Sequence, residues 1–286
     1  MLKTWKKAVA ALLVVVVCAI AMTGRPMADP IRTVRLGVVF TPSFSGLIAD
    51  LIADFKSQGG SDVEVTTGID IYTRAREGEA DIVISHYGFI EVEQFVQEGY
   101  GRWPRTVFSN QIAIIGPKDD PAQIRSARSA TEAFRRIADT QAPFIANALP
   151  AIIQLTDYLW EGSGHPQKGS WYRDDGISKA EAIKLAGNSG AYVIWGASPF
   201  LKFAREHGSP LEILFAHDQI LQRAMCTIVV DPEKVPSVNA EGAEALQRYL
   251  LSPRAQARVA AFREKGSPDI QLWWPEALHN DGVGAP

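Results

Sequence analysis

The stretch Ala142–Trp160, APFIANALPAIIQLTDYLW, reads as a short strand, a turn, and a helix that opens at Leu149-Pro150. Proline suits a first helical turn, because its φ is already helical and its missing N–H would have had no partner there. A helix placed after a strand in this way aims free N–H groups and the positive end of its dipole at whatever lies beyond, usually an anion. The turn Ala-Asn-Ala-Leu-Pro, however, brings no arginine, lysine, hydroxyl or glycine to hold one.

The same strand-then-helix unit recurs on both sides. Upstream, VRLGVVF (34–40), DVEVTTG (62–68), DIVISHY (81–87) and SNQIAIIGP (109–117) read as strands. The apolar periodicity of SGLIADLIADFKSQG (45–59) and FIEVEQFVQEGYG (89–101) predicts helices between them, with a short helix near IDIYTRAREGEA (69–80). Downstream, ISKAEAIKLAGNSG and SPFLKFAREHG read as helices, AYVIW, LEILFAHD and AMCTIVV as strands. The chain closes on a helix pair broken at Ser252-Pro253. EGSGHPQKGSWYRDDG (161–176) reads as a polar connection. This alternation predicts an α/β fold, with mostly parallel sheets flanked by helices.

The N-terminus is basic (MLKTWKK) and continues into a 15-residue apolar run, Ala8–Met22. That length fits the apolar core of a secretory signal and is short for a membrane span. Export by a signal over residues 1–28 is expected, into the periplasm or another extracytoplasmic space, with an uncleaved membrane anchor as the alternative. Removing Lys3, Lys6, Lys7 and Arg25 takes the net charge from −3 to −7, which argues against a nucleic-acid partner. Cys226 then has no intrachain partner, and its apolar strand predicts a buried, inert thiol. Histidines 86, 165, 207, 217 and 279 lack metal-ligand spacing, and no nucleophile elbow or phosphate loop occurs. No enzyme activity, metal or cofactor is expected.

Several stretches carry a specific likeness: EGEADIVISHYGFIEVEQFVQEGYG, SNQIAIIGPKDDPAQI, APFIA…LW, GSWY, AEAIKLAGNSGAYV and VVDPEKVPSVNAEGAEALQRYLLSPRAQ. Together they resemble the periplasmic tungstate-binding proteins of ABC importers. The resemblance implies a type II periplasmic binding protein fold: two α/β lobes, two crossover segments and closure about a hinge. Lobe 1 would comprise residues 29–112 and 220–286, and lobe 2 residues 113–219. The crossovers would lie near Gln111–Ile115 and Phe215–Cys226. The partners it implies are a small-molecule or oxyanion ligand and an ABC permease, or a membrane sensor in the alternative reading, with the protein a monomer.

In that family a Thr/Ser run after the first strand holds the anion. Here the run is FTPSFSG, keeping Thr41, Ser43 and Ser45, which are equally able to cap the next helix. Thr67 stands in the turn after the second strand, and Ser85 and His86 end the third. The family's arginine-bearing turn falls on ANALPAII, with Asn147 about where the arginine would be and Ala148 beside it. WGAS, Trp195–Ser198, replaces a later Asp-Arg-Gly-Thr segment. Expected ligand contacts are therefore Thr41, Ser43, Ser45, Thr67, Ser85 and His86 from one lobe, and Asn147, Ala148 and Trp195 from the other. Leu149, Ile152, Trp195 and Phe200 would form an apolar wall, with Trp171 and Tyr172 nearby. Such a wall suits a less charged ligand with an apolar or ring-shaped part. Lys118, Asp119 and Asp120 are expected to be solvated.

Overall fold

The computed structural model describes residues 33–280; the expected signal segment lies outside them. Strand β1 (Val34–Val38) is flanked by β2 (Val63–Thr67) and β3 (Ile82–His86), both parallel to it. Helices α1 (Phe40–Phe44) and α2 (Leu47–Ser57) connect β1 to β2, α3 (Ile71–Arg76) connects β2 to β3, and α4 (Ile90–Gln97) follows β3. Strand β4 (Arg105–Pro117) runs for 13 residues. Beyond it come α5 (Ala130–Asp139), β5 (Phe144–Ile145), α6 (Pro150–Gly162), β6 (Tyr172–Arg173), α7 (Lys179–Ser189), β7 (Tyr192–Gly196), α8 (Ala197–His207) and β8 (Leu211–Phe215). The chain then returns through β9 (Gln222–Val229) to α9 (Ala240–Leu250), α10 (Pro253–Ala261) and β10 (Trp273–Pro275).

One strand joins the two lobes. The first part of β4, Arg105–Gln111, pairs antiparallel with β9, which in turn pairs antiparallel with β3. Its second part, Ile112–Ile115, pairs antiparallel with β7, which is parallel to β5, itself parallel to β6. The sheet order is thus β2-β1-β3-β9-β4-β7-β5-β6, with β8 and β10 also on β4. The strand changes partners between Gln111 and Ile112, and the segment from β8 to β9 is the second crossover. The parallel strands are confined to the two outer parts of the sheet, and every pairing at the junction is antiparallel.

Pleating sorts the aliphatic residues onto two faces. Ala113 and Ile115 join one core with Val34, Leu36, Leu47 and Phe200. Ile112 and Ile114 join another with Phe134, Phe144, Trp171 and Tyr192. Val83, Phe95, Cys226 and Ile228 form a third. Strands buried on both faces read as continuous apolar runs, as IVIS and IAII do. Burial pushes the Cys226 thiol up to about 12, so it stays protonated.

Short elements depart from expectation. The connection 161–176 contributes β6, which pairs Phe144 with Tyr172. Trp273 in β10 is fully buried and meets Phe108 edge-on, ring centres 5.4 Å apart. Asp120 is not solvated. Its Oδ1 accepts from the Tyr192 hydroxyl at 2.8 Å and from Ile124 N at 3.0 Å, and its Oδ2 from Arg125 N at 2.9 Å. Asp120 therefore caps the short 3-10 turn Ile124–Ser126, so the expectation that it is solvated is corrected. Trp171 is core, its indole N–H donating to the Gln167 carbonyl at 3.0 Å. Phe200, on α8, is buried in the core rather than in a cleft wall.

The C-terminal helices are clamped to α2 by charge. Asp54, nearly buried, accepts two hydrogen bonds from Arg254 at 2.7 Å and one from the Tyr249 hydroxyl at 2.9 Å. Arg258 reaches Asp50 through both its Nε, at 3.0 Å, and Nη2, at 2.6 Å. These bonds to Arg254, against the cost of burial, hold the Asp54 carboxyl down at about 2.

Candidate functional site

A cavity of about 900 Å³ lies where the carboxyl ends of β1, β3 and β7 meet the amino ends of α6 and α8. Ligands of open α/β sheets bind at this kind of strand-end crevice. Lobe 1 contributes Val39, Phe40 and Thr41 after β1, Ile69 after β2, and His86, Phe89 and Ile90 at the end of β3. Lobe 2 contributes Leu149 to Gln154 at the start of α6, and Trp195, Gly196 and Pro199. The shared strands supply Asn110, Gln111, Ile112 and Arg223. Asn110 and Arg223 stand directly opposite each other in the β4–β9 register.

Of the residues expected from sequence, Thr41, His86 and Trp195 line this cavity together. The other six are placed elsewhere. Ser43 and Thr67 hydrogen-bond each other, Oγ to Oγ1, at 2.8 Å. Ser45 is buried, donating to the Pro42 carbonyl at 3.1 Å and accepting from Leu47 N at 3.3 Å, which fastens the start of α2. Ser85 is buried within β3, opposite Cys226. Asn147 is 1% exposed and fully committed to the lobe's own backbone. Its Nδ2 donates to the Ile194 carbonyl at 3.1 Å, while its Oδ1 accepts from Leu149 N at 3.4 Å and Lys179 N at 3.2 Å. Ala148 N donates to the Ile177 carbonyl at 2.8 Å.

Residues 36–266 match the family of bacterial extracellular solute-binding proteins. The chain belongs to that family. Over 218 residues it is 35% identical to an ABC transporter anion-binding protein of Haloferax volcanii, spanning 74% of this chain and 62% of that protein's length. It is 27% identical to the tungstate-binding protein TupA of Peptoclostridium acidaminophilum over 95% of this chain and 99% of that one. Its fold matches that of the tungstate-binding protein TupA from Desulfovibrio alaskensis with a TM-score of 0.75, at 24% identity, over 86% of this chain and 99% of the other. The chain is thus a solute-binding protein of the ABC-transporter kind, resembling tungstate-binding proteins and sharing the type II fold. Among its described residues no helix is long and apolar enough to cross a membrane, and no cluster of metal-ligating side chains occurs.

The cavity of this solute-binding protein holds one partly buried cation. Among the described residues Arg223 has no carboxylate and no hydrogen-bond partner; its guanidinium lies 5.6 Å from the centre of the Phe89 ring. Burial lowers its pKa without discharging it, since arginine stays protonated in proteins. His86 is the neighbouring polar group, its ring 5.0 Å from that of Phe89. Burial first, and the charge of Arg223 second, hold the imidazole down at about 4, so it is neutral near pH 7. Its Nδ1 is buried with no partner. Sequence reasoning passed over Arg223 and Asn110. The available signal was an arginine at the start of an otherwise apolar strand, QRAMCTIVV, where an unpaired charge is rare.

Proposed function

We propose that this protein captures a small anion in the cleft between its lobes and delivers it to the membrane permease of an ABC importer. The observation that carries the reading is Arg223, a partly buried guanidinium that makes no ion pair among the described residues and faces a cavity whose walls include several apolar and aromatic side chains. An unpaired buried charge is costly, and a bound anion is the partner that would relieve it. The anion-binding and tungstate-binding relatives support the ligand's charge class. Capture would proceed by closure: lobe 1 (29–112 and 220–286) and lobe 2 (113–219) turn about the two crossovers, and a ligand that touches both favours the closed form.

A thermal-shift panel of inorganic oxyanions, organic acids and uncharged solutes tests this reading. Stabilisation by at least one anion and by none of the uncharged solutes is expected. Stabilisation by uncharged solutes alone would overturn it.

A further inference from the structure

Resting on that reading, we infer that the captured anion is organic: a singly charged acid, anchored at Arg223 and Asn110, whose flat apolar body lies between the walls of the cleft. Three observations converge on this.

The first is charge. The cavity is lined by Arg223 and Lys179 on one side of the ledger and by Glu91 and Asp157 on the other. Lys179, Glu91 and Asp157 are exposed, so water screens them, and only Arg223 is withdrawn from solvent. His86 is neutral and adds no charge. A monoanion is matched by that single guanidinium. A doubly charged tetrahedral oxyanion would keep an uncompensated charge out of water, near two rim carboxylates.

The second is donor geometry. The guanidinium is a planar fork that suits a carboxylate through two parallel hydrogen bonds. Asn110 lines the cavity beside it, and no side-chain hydrogen bond ties its amide among the described residues. Of the family's hydroxyls, Thr41 lines the cavity, Ser43 and Thr67 bond each other, and Ser45 bonds its own backbone. Asn147, in place of an arginine, points into lobe 2. The charged side-chain donor that remains is a single planar fork, with the Thr41 hydroxyl and the helix amino ends beside it.

The third is size and surface. A tetrahedral oxyanion is the equal of only a few waters of about 30 Å³ each; with the lobes as they stand the cavity measures about 900 Å³, which gives room for a larger ligand. That volume lies in the range of sites for ligands of drug size, which are walled by apolar and aromatic groups with a few placed polar ones. Phe40, Phe89 and Ile90 on lobe 1, and Leu149, Ile153 and Trp195 on lobe 2, supply such walls. Phe40, Ile90 and Ile153 are between 46% and 63% exposed, an apolar surface that a ligand body would cover.

Calorimetric titration of the mature protein with phenylacetate and indole-3-acetate, alongside phenylacetamide, tungstate, molybdate and sulfate, tests the inference. The carboxylates are expected to bind, phenylacetamide at least tenfold more weakly, and the inorganic anions not at all at high micromolar concentration. Arg223→Gln should weaken carboxylate binding by about 10- to 100-fold, and Arg223→Lys, which keeps charge but loses the fork, should recover only part. Unchanged far-ultraviolet dichroism and melting no lower than wild type in both variants would exclude a folding defect. Tungstate binding tighter than either carboxylate, and lost in Arg223→Gln, would overturn the organic ligand while leaving anion capture standing. Phenylacetamide binding as tightly as phenylacetate would overturn both.

Discussion

His86 shows how a single side chain reports its surroundings. The folded imidazole takes a proton only near pH 4, whereas the unfolded one does so near 6.5. Between those values the unfolded state binds more protons, so stability falls as pH is lowered from about 6.5 to about 4, and no penalty exists above that window. The full shift corresponds to about 3 kcal/mol. Urea unfolding of wild type and His86→Gln across pH 4 to 7 should show a flatter profile in the variant. Asn147 makes the opposite point about residue-by-residue inference from a family. Its position suggested an arginine site, yet its amide is spent on Ile194, Leu149 and Lys179. Asn147→Arg would bury an unpaired charge in lobe 2, with an expected loss of about 3–5 kcal/mol and no gain in oxyanion affinity. Calorimetric melting with a tungstate titration checks both halves.

Elements were legible in proportion to their length. Helices such as α2 and α9 repeat their apolar face over three turns, and β3 shows an unbroken buried run, so both periods stand out locally. Strands β6 and β10 are two and three residues long and exist only through their partners, Phe144 and Ile145 for one and Phe108, Ser109 and Asn110 for the other. No local period marks them. Yet β10 matters to the fold: Trp273 fills space against Phe108, and its indole N–H donates to Glu264 at 3.0 Å. Glu264 also accepts from Ser198 of α8 at 2.6 Å, fastening the C-terminal segment to the second lobe. Trp273→Ala should cost about 3–5 kcal/mol, read as a lowered urea midpoint.

At the scale of the molecule, alternation of strand and helix gave the α/β class, and quoted stretches gave the two-lobed type. The binding site was readable only in part. His86 and Trp195 lie at strand ends and Thr41 in the short helix just past one, where the period announces the cleft. Arg223 and Asn110 become neighbours through a pairing between residues more than a hundred positions apart, which no local pattern encodes. If the lobes close as proposed, small-angle scattering should show a smaller radius of gyration with saturating ligand, and none of that contraction in its absence.

The unbroken passage of β4 through both lobes also sets an order in time. Arg223 and Asn110 stand on the shared strands, so an acid group meets the same guanidinium whether the lobes are apart or together. A contact of equal strength in two states shifts neither. If the lobes close as proposed, that contact would govern how long the ligand stays, the apolar walls would govern whether the protein shuts, and encounter would precede shutting. In stopped-flow mixing followed by Trp195 emission, the observed rate should rise with ligand concentration and level off at a first-order limit. Arg223→Gln should move the half-saturating concentration and leave that limit untouched, whereas Ile153→Ser should lower the limit itself. The anchor would thus act as the berth, and the opposing walls as the spring that closes over it.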